Sequence, residues 1–144
     1  MNSTFVNHIM SKNMLTVDKS TSLQQAALNM RKSNVGCVIV TENTKPTGIV
    51  TERDFVTKVA AEGRPLFTHI NEVMSSPLIT ISPEETIWKA AEMMKEKEIH
   101  KLVVKKNKKI IGIVTATDII KIASLGSDSQ IHQICDQILL RMKQ

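Results

Sequence analysis

Two short motifs combine hydroxyl and carboxylate side chains at one spacing. One is Thr51-Glu52-Arg53-Asp54 and the other is Thr115-Ala116-Thr117-Asp118, each directly after a Gly-Ile-Val run. An ionised carboxylate only accepts hydrogen bonds, so Asp54 and Asp118 could bind hydroxyl groups of a ligand. A threonine at a helix start lies where backbone N–H groups attract phosphate. The two motifs are therefore candidate ligand sites.

The same spacing has a purely structural interpretation. A threonine with an acid three residues later forms a capping box, which stabilises a helix start without any ligand. For an isolated motif the cap is the better interpretation. Recurrence of the motif at matched positions favours a ligand site, with capping served by the same atoms.

The motifs belong to two copies of one unit. Sliding the sequence along itself aligns Asp54 with Asp118 without a gap. In that register, Gly48-Ile49-Val50-Thr51 matches Gly112-Ile113-Val114-Thr115 residue for residue. An ungapped match of this length indicates an internal duplication.

Each copy is expected to begin with a short strand and a helix. The strands are predicted at Leu15-Thr16-Val17 and Ile79-Thr80-Ile81, directly before helix-start signals. Ser82-Pro83-Glu84-Glu85 predicts a capping box with proline at the first helical position, and Asp18 is the expected cap in the first copy. Helices of about four turns should follow. Their predicted buried stripes are Leu23, Ala26, Ala27 and Met30, and Ile87, Ala90, Ala91 and Met94.

A hairpin and a second helix complete each copy. Buried strands at 35–40 and 99–104 are joined through polar turns to strands that end in Gly-Ile-Val. Helices are expected from about residue 52 to 62 and from about residue 116 to 125, each ending at a glycine. The resulting unit is β-α-β-β-α.

The sequence thus predicts an α/β (α+β) fold of two tandem β-α-β-β-α repeats, at 1–64 and 65–126. A unit of this size is marginal alone, so the repeats are expected to pack about a pseudo-two-fold axis. An amphipathic helix is predicted at 127–144, where one face would carry Ile131, Ile134, Cys135, Ile138, Leu139 and Met142. That face would pack either on its own module or on a dimer or partner surface, and both alternatives stay open.

Composition argues against several classes of protein. Of the 144 residues, 42% are apolar and 23% are charged, as in ordinary globular domains. No apolar run approaches the ~20 residues of a membrane span and no signal-peptide pattern begins the sequence, so a cytoplasmic location is expected. The cysteines Cys37 and Cys135 form no CxxC motif, and the four histidines lack metal-ligand spacing. With no nucleophile-base signature, neither a metal site nor enzymatic activity is predicted.

Charge favours anionic partners without identifying them. The net charge is +5, and its most basic run is Lys105-Lys106-Asn107-Lys108-Lys109 at a predicted hairpin tip. A solvated turn is the simpler interpretation of that run, and contact with an acidic partner or nucleic acid is the minority one. Aromatic residues make up only 3%, so surfaces on which bases could stack are scarce and nucleic-acid binding is not expected.

The chain closely resembles the cystathionine β-synthase (CBS) domain family over about residues 6–125. The resemblance rests on the tandem β-α-β-β-α order and on a Gly-Ile-Val-Thr-x-x-Asp motif that closes each hairpin. It rests also on Ile9-Met10-Ser11 and Val73-Met74-Ser75, which open the two copies. The resemblance implies a non-catalytic tandem module with two clefts, in which adenine nucleotides or adenosyl compounds often bind and alter a partner.

The resemblance also implies which residues line the clefts. In that family the base rests near the start of the buried strand of one copy, and the Thr-x-x-Asp of the other copy holds ribose and phosphate. Applied here, one cleft combines Val35, Gly36 and Cys37 with Thr115, Thr117 and Asp118, and the other combines Ile99, His100 and Lys101 with Thr51, Arg53 and Asp54. The second cleft is the more basic, and its His-Lys step resembles a pair that contacts phosphates in some members.

The expected function is that of a stand-alone regulatory module that needs no cofactor. Its ligand would be AMP, ADP, ATP or a compound like S-adenosylmethionine, and its output would reach a separate partner protein. A homodimer is expected, because modules of this family commonly pair. The alternative is a structural protein–protein interaction module whose clefts stay empty and whose contacts come from the C-terminal helix or the basic hairpin.

Overall fold

The computed structural model describes residues 4–124 together with 136–137. Two compact units divide the chain. One consists of residues 13–78 and is called the repeat 1 unit below; the other consists of residues 1–12 and 79–144 and is called the repeat 2 unit. The first residues of the chain therefore belong with the second repeat, although they directly precede the first.

The helices and strands of the described residues alternate in the same order in both repeats. In chain order they are α1 (Val6–Ile9), β1 (Thr16–Asp18), α2 (Leu23–Ser33), β2 (Cys37–Glu42), β3 (Lys45–Thr51), α3 (Glu52–Asp54), a π-helical stretch (Phe55–Ala60), a 3-10 turn (Ile70–Glu72), β4 (Thr80–Ile81), α4 (Ile87–Lys97), β5 (Lys101–Lys106), β6 (Lys109–Thr115) and α5 (Ala116–Ala123). The predicted mixed α+β fold, with β-α-β-β-α in each repeat, is confirmed.

The repeat 1 unit holds a sheet of order β1-β2-β3. Strand β1 runs parallel to β2, because α2 connects them, and β3 returns antiparallel through the two-residue turn Asn43-Thr44. Helix α2 and the segments after β3 bury one face of the sheet. Their apolar cluster consists of Val17, Leu23, Ala26, Met30, Val38, Val40, Val50, Val59, Ile70 and Val73.

The repeat 2 unit repeats this topology with a sheet of order β4-β5-β6. Its core also takes in Val6 of α1, which is fully buried. The backbone N–H of Val6 donates to the Glu85 carbonyl (2.8 Å), and the Asn7 N–H donates to the Pro83 carbonyl (3.1 Å). The remaining members of the core are Ile81, Ile87, Ala90, Ala91, Met94, Leu102, Val104, Val114, Ala116, Ile119 and Ala123.

The predicted helix starts at Asp18 and Ser82 are wrong. Helix α2 is capped by Ser22, whose hydroxyl accepts from the Gln25 N–H (3.1 Å), and α4 is capped by Thr86. Asp18 is still a strand residue, and its carboxylate accepts hydrogen bonds from the N–H and hydroxyl of Ser20. These bonds, above all the one from the Ser20 hydroxyl, hold the pKa of Asp18 below its ordinary value.

The second of these errors has a cause that lies far away in sequence. In a helix beginning at Pro83, the carbonyls of Pro83 and Glu85 would accept from residues four positions later. They accept instead from the N–H groups of Asn7 and Val6. The N-terminal segment thus uses the hydrogen bonds that an earlier helix start would need, and residues 82–85 form a turn.

One predicted buried position is also wrong. Ala27 is exposed, whereas its counterpart Ala91 is fully buried. In the repeat 2 unit α5 contributes Ile119 and Ala123 to the cluster that covers Ala91. In the repeat 1 unit the helix after Thr51 contributes only Val59 as a buried member, so the apolar stripe of α2 is narrower. Both α2 and α4 have 11 residues, about three turns rather than four.

The two repeats also differ in their second helix. After Thr51 a short α-helical turn passes into the π-helical stretch Phe55–Ala60, whereas α5 is α-helical over its described length. The expected stop at Gly63 is confirmed, because Gly63 has a φ of +64°, a conformation that favours glycine.

Among the residues that the structure describes, no helix is long and apolar enough to cross a bilayer. The predicted helix at 127–144 lies outside the described residues, except for Asp136 and Gln137, which are helical and exposed.

Candidate functional site

The Thr-x-x-Asp motif of the repeat 1 unit lies beside the start of β2. Cys37, the first residue of β2, is the antiparallel partner of Thr51, the last residue of β3. The next residue, Glu52, donates its backbone N–H to the Gly36 carbonyl (3.0 Å). The hairpin register therefore holds the residues before β2 against the first turn of the following helix.

Asp54 closes this turn by accepting hydrogen bonds from the start of the motif. Its Oδ2 atom accepts from the Thr51 backbone N–H (2.8 Å) and from the Thr51 hydroxyl (3.3 Å). The capping box that the structural interpretation predicted is thus present. One carboxylate oxygen of Asp54 serves the helix start, which leaves Oδ1 for other partners.

Lys58 occupies that second oxygen. Its ammonium nitrogen lies 3.3 Å from Asp54 Oδ1 and also donates to the Val73 backbone carbonyl (3.2 Å). Asp54 is only 13% exposed at its side chain, and Lys58 is 38% exposed. A cation on the helix turn after Asp54 therefore adds positive charge directly beside the motif.

The repeat 2 unit builds the same arrangement from different residues. Lys101, the first residue of β5, is the antiparallel partner of Thr115, and the Ala116 N–H donates to the His100 carbonyl (2.8 Å). Ile99 is linked back to α4, because its N–H donates to the Met94 carbonyl (3.1 Å). The corresponding bond in the repeat 1 unit runs from Val35 to Met30.

The second capping box is reciprocal. Asp118 Oδ2 accepts from the Thr115 backbone N–H (3.0 Å), and the Asp118 N–H donates to the Thr115 hydroxyl (3.2 Å). The position that aligns with Lys58 is Ile122 in this repeat. The two motifs therefore share their backbone geometry but differ in the charge that surrounds the carboxylate.

The predicted site residues differ in how exposed they are to solvent. Arg53 and Thr117, at the same position of the two motifs, are exposed, and both aspartates are partly accessible. Cys37 is buried, so its side chain is poorly placed to meet a ligand, whereas Gly36 before it is half-buried. Val35, Ile99, His100 and Lys101 are half-buried as well.

The structure brings predicted site residues together within each repeat. Val35, Gly36 and Cys37 lie beside the motif of their own repeat, and Ile99, His100 and Lys101 lie beside theirs. The cleft assignment from family resemblance pairs each strand start with the motif of the other repeat, and this pairing stays a prediction. Lys58 was missed, although a lysine four residues after an aspartate on a helix is a recognisable ion-pair signal.

Two stretches of the chain, residues 6–61 and 70–125, match the CBS domain family. Because these stretches make up most of the chain, the chain belongs to this family. The matched stretches contain both Thr-x-x-Asp motifs and both hairpins, so the resemblance found in the sequence is confirmed.

Individual relatives agree with this assignment. An uncharacterized protein of Methanopyrus kandleri is 35% identical over 125 residues, which span 85% of this chain and 64% of that protein. The CBS domain-containing protein YhcV of Bacillus subtilis is 31% identical over 114 residues, which span 79% of this chain and 81% of that protein. This chain thus covers less than two thirds of the Methanopyrus relative.

A solved structure shares the fold and contains ligands. It is a CBS domain pair in complex with 5′-methylthioadenosine and S-adenosyl-L-methionine, with a TM-score of 0.77 and 27% sequence identity. The similarity covers 85% of this chain and 98% of that chain. A domain pair of the same fold therefore binds adenosyl compounds.

Proposed function

We propose that this chain is a regulatory module that binds an adenine nucleotide or an adenosyl compound and signals the bound state to a partner. The proposal rests on one observation: in both repeats a Thr-x-x-Asp motif lies beside the first residues of a buried strand. The solved domain pair with two adenosyl ligands supports this ligand class. The proposal includes no catalytic step and keeps the cytoplasmic location expected from the sequence.

Each part of the site has a chemical role in the proposal. Asp54 and Asp118 accept hydrogen bonds from the ribose hydroxyls, because a carboxylate has several acceptor positions and only some serve the helix start. The strand starts provide surfaces against which a base can lie: backbone at Gly36 and an imidazole ring at His100. Thr51 and Thr115, at helix starts, lie near backbone N–H groups that attract phosphate.

Basic residues near the motifs indicate that the ligand can carry phosphate groups. Arg53, Lys58, His100 and Lys101 all lie in or next to the motifs and strand starts, and Thr117 offers a hydroxyl where Arg53 offers a guanidinium. The cations among them, Arg53, Lys58 and Lys101, would bind phosphate through charge that mobile ions screen. The affinity for ATP should therefore depend on salt more strongly than the affinity for adenosine.

Calorimetric titration tests the ligand class. Adenosine, AMP, ADP, ATP and S-adenosylmethionine are titrated into the intact chain, with GMP as a matched control for the base. At least one adenine compound is expected to bind with a Kd below about 1 mM and to bind at least about tenfold more tightly than GMP. Failure of every adenine compound to bind the folded protein at about 1 mM contradicts the proposal.

The capping hydrogen bonds favour a second candidate. Because Asp54 and Asp118 already accept bonds from Thr51 and Thr115, the motifs are accounted for without a ligand. In that case the chain is a structural interaction module with empty clefts. The titration distinguishes the candidates, since an interaction module gives no heat with any adenine compound.

We also propose that the module forms a homodimer. The apolar positions of the sequence 127–144 would supply part of the contact. Sedimentation at about 100 μM should show a dimer, because a contact of micromolar affinity is saturated there. A monomer under those conditions contradicts the dimer, and deletion of residues 127–144 tests the contribution of that segment.

A further inference from the structure

The hairpin between β5 and β6 ends in a cluster of lysines. Lys105, Lys106, Lys108 and Lys109 are all exposed, and together they are called the basic tip. Only Asn107 interrupts the run. Asn107 and Lys108 form the two-residue turn and have φ values of 52° and 66°.

The basic tip departs from what hairpin stability favours. Lys106 and Lys109 are direct cross-strand partners, and like charges in this position destabilise a hairpin. Lys108, like Thr44 at the same position of the first hairpin, has a left-handed backbone conformation, where glycine and asparagine are preferred. The like-charged pair is therefore what distinguishes the second hairpin. A local cost of this kind is typical of a functional surface.

The first repeat shows the arrangement that stability favours. Its hairpin places Glu42 opposite Lys45, a pair of opposite charges. Glu42 also forms an ion pair with Lys19 (2.5 Å). The two hairpins have the same register and turn length, so the fold does not require the lysines of the second.

A carboxylate already lies on the basic tip. Glu84 Oε1 is 2.8 Å from Lys106 Nζ. This hydrogen bond, with a smaller contribution from Ser82, lowers the pKa of the Glu84 carboxyl to about 2. Within residues 4–124, Lys105, Lys108 and Lys109 form no ion pair. Three ammonium groups beside the Glu84 pair are therefore open to further carboxylates.

We propose that the basic tip binds an acidic segment, rich in aspartate and glutamate, of a partner protein. Lysine ammonium groups act as point charges, which suit flexible carboxylates without a fixed geometry. The basic tip lies at the opposite end of the β5–β6 hairpin from Thr115. It gives the module a docking surface of defined charge.

Other polyanions fit this surface less well. Duplex DNA would bring a row of phosphates past the hairpin, and Glu84 places negative charge on the basic tip. A lipid surface is usually held by apolar side chains in addition to charge, and the run of four lysines and one asparagine supplies none. A narrow tip with exposed ammonium groups is better matched to one extended acidic peptide.

Fluorescence anisotropy with a labelled oligoglutamate peptide tests the proposal on the full chain. In the test variant all four lysines of the basic tip are replaced by glutamine. The matched control removes the same charge from exposed lysines elsewhere, at Lys32, Lys45, Lys89 and Lys97. We expect the test variant to bind the peptide about tenfold more weakly and the control to stay within about twofold of the parent chain. Binding should also weaken between low ionic strength and about 0.15 M salt.

Each of the following results would overturn the proposal. Equal losses in the two variants would mean that net charge alone attracts the peptide. Tighter binding of duplex DNA or of phosphatidylserine vesicles at the same salt would assign the basic tip to another class of partner. Absence of peptide binding by the folded parent chain at low ionic strength would leave the lysines as a solvated turn.

A single substitution separates binding from folding. Lys109→Glu places an opposite charge across from Lys106, as in the first repeat. The variant should melt at a higher temperature than the parent chain and bind oligoglutamate several-fold more weakly, about threefold or more. Weaker binding in a more stable protein cannot be ascribed to unfolding. Unchanged binding in this variant would contradict the proposal.

Discussion

Lys58 Nζ lies 3.3 Å from Asp54 Oδ1 while the other oxygen of Asp54 accepts from the Thr51 backbone. The first motif is thus a carboxylate with an attached cation. At the aligned position of the second motif the residue is Ile122, so Asp118 lacks this neighbour. This difference should separate the two motifs in their response to phosphate.

The first prediction concerns Lys58→Met, which removes the ammonium and keeps an unbranched side chain. The ion pair is partly exposed, so its loss should cost at most about 1 kcal/mol of unfolding free energy. The affinity for AMP relative to adenosine should fall about two- to fivefold, because the variant lacks the cation beside Asp54, the carboxylate proposed to bind the ribose. Calorimetric titration of both ligands measures this ratio.

Lys121→Met is the control for charge. Lys121 is an exposed residue of α5 one position before Ile122, and its substitution changes the net charge by the same amount. The ratio of the AMP and adenosine affinities should stay constant in this variant. If both variants shift the ratio equally, Lys58 acts through overall charge and not from the site.

The second prediction separates a ligand contact from a helix cap. Asp54→Ala and Asp118→Ala should each weaken ligand affinity by about tenfold to a hundredfold, since a charged hydrogen bond to a ribose hydroxyl is lost. Each should also cost about 0.5–2 kcal/mol of stability through loss of the cap. Titration and urea denaturation of the same samples give the two quantities.

The N-caps of α2 and α4 provide matched controls. Ser22→Ala and Thr86→Ala remove hydroxyls that accept from the N–H groups of Gln25 and Lys89 (3.1 Å in both cases). They should lower stability by a similar amount, about 1 kcal/mol, and leave affinity unchanged. Aspartate variants that behave like these controls would show that the motifs only cap helices.

The third prediction concerns which residues share a ligand. The family assignment requires that Asp54→Ala and Lys101→Ala abolish the same binding event, although the residues belong to different repeats. Asp118→Ala should then abolish the other event. Calorimetric stoichiometry with each variant measures which event is lost. Loss of one common event in Lys101→Ala and Asp118→Ala would instead assign each ligand to a single repeat, as the neighbouring positions of Lys101 and Thr115 would allow.

The fourth prediction concerns glycines in β3 and β6. A Cβ atom at Gly48 would lie 2.8 Å from the Ser75 carbonyl oxygen and 2.5 Å from Met74 Sδ. A methionine side chain can move, but the carbonyl belongs to the backbone that pairs with Ile49. Gly48→Ala should therefore cost about 1–3 kcal/mol of unfolding free energy, measured by urea denaturation.

A double variant and two further glycine substitutions test the same clash. Adding Met74→Ala to Gly48→Ala should not restore stability, because the carbonyl contact stays. Gly112→Ala should also destabilise the protein, since its Cβ would lie 2.7 Å from Met10 Sδ and 3.0 Å from the Ser11 carbonyl. Gly63 has no atom within 4 Å of such a Cβ, so Gly63→Ala reports only backbone strain at positive φ, about 1 kcal/mol. Full stability in Gly48→Ala would contradict the predicted clash.

Much of the fold follows from local patterns in the sequence. The alternation of strands and helices is encoded by apolar spacing, by hairpin turns and by the glycine at residue 63, all of which act over a few residues. The predicted starts of α2 and α4 were wrong because hydrogen bonds between residues far apart in sequence determine where these helices begin. The carbonyls of Pro83 and Glu85 bind the segment at Val6, and no local pattern reveals this competition.

Only part of the candidate site could be predicted, because local spacing reveals some of its residues and long-range pairing or packing determines the rest. Thr51, Asp54, Thr115 and Asp118 were found because their spacing recurs after the same strand in both repeats. The contact between Gly36 and Glu52 depends on hairpin register, which is set by the two-residue turn at Asn43 and Thr44 together with the one-residue register shift between Val40 and Thr41. The exposure of Ala27 depends on how a second helix packs, which one helical stripe cannot show.

The position of α1 affects the order in which the protein can assemble during translation. Val6 precedes the whole repeat 1 unit in sequence, yet its neighbours Ile81, Leu102 and Ile119 follow that unit and are synthesised after it. The repeat 1 unit is continuous in sequence and is complete before then. The segment around Val6 must therefore stay unpaired until the residues that follow the repeat 1 unit have been synthesised. A tag fused before Thr4 should accordingly disturb the more distant repeat in sequence, and not the adjacent one.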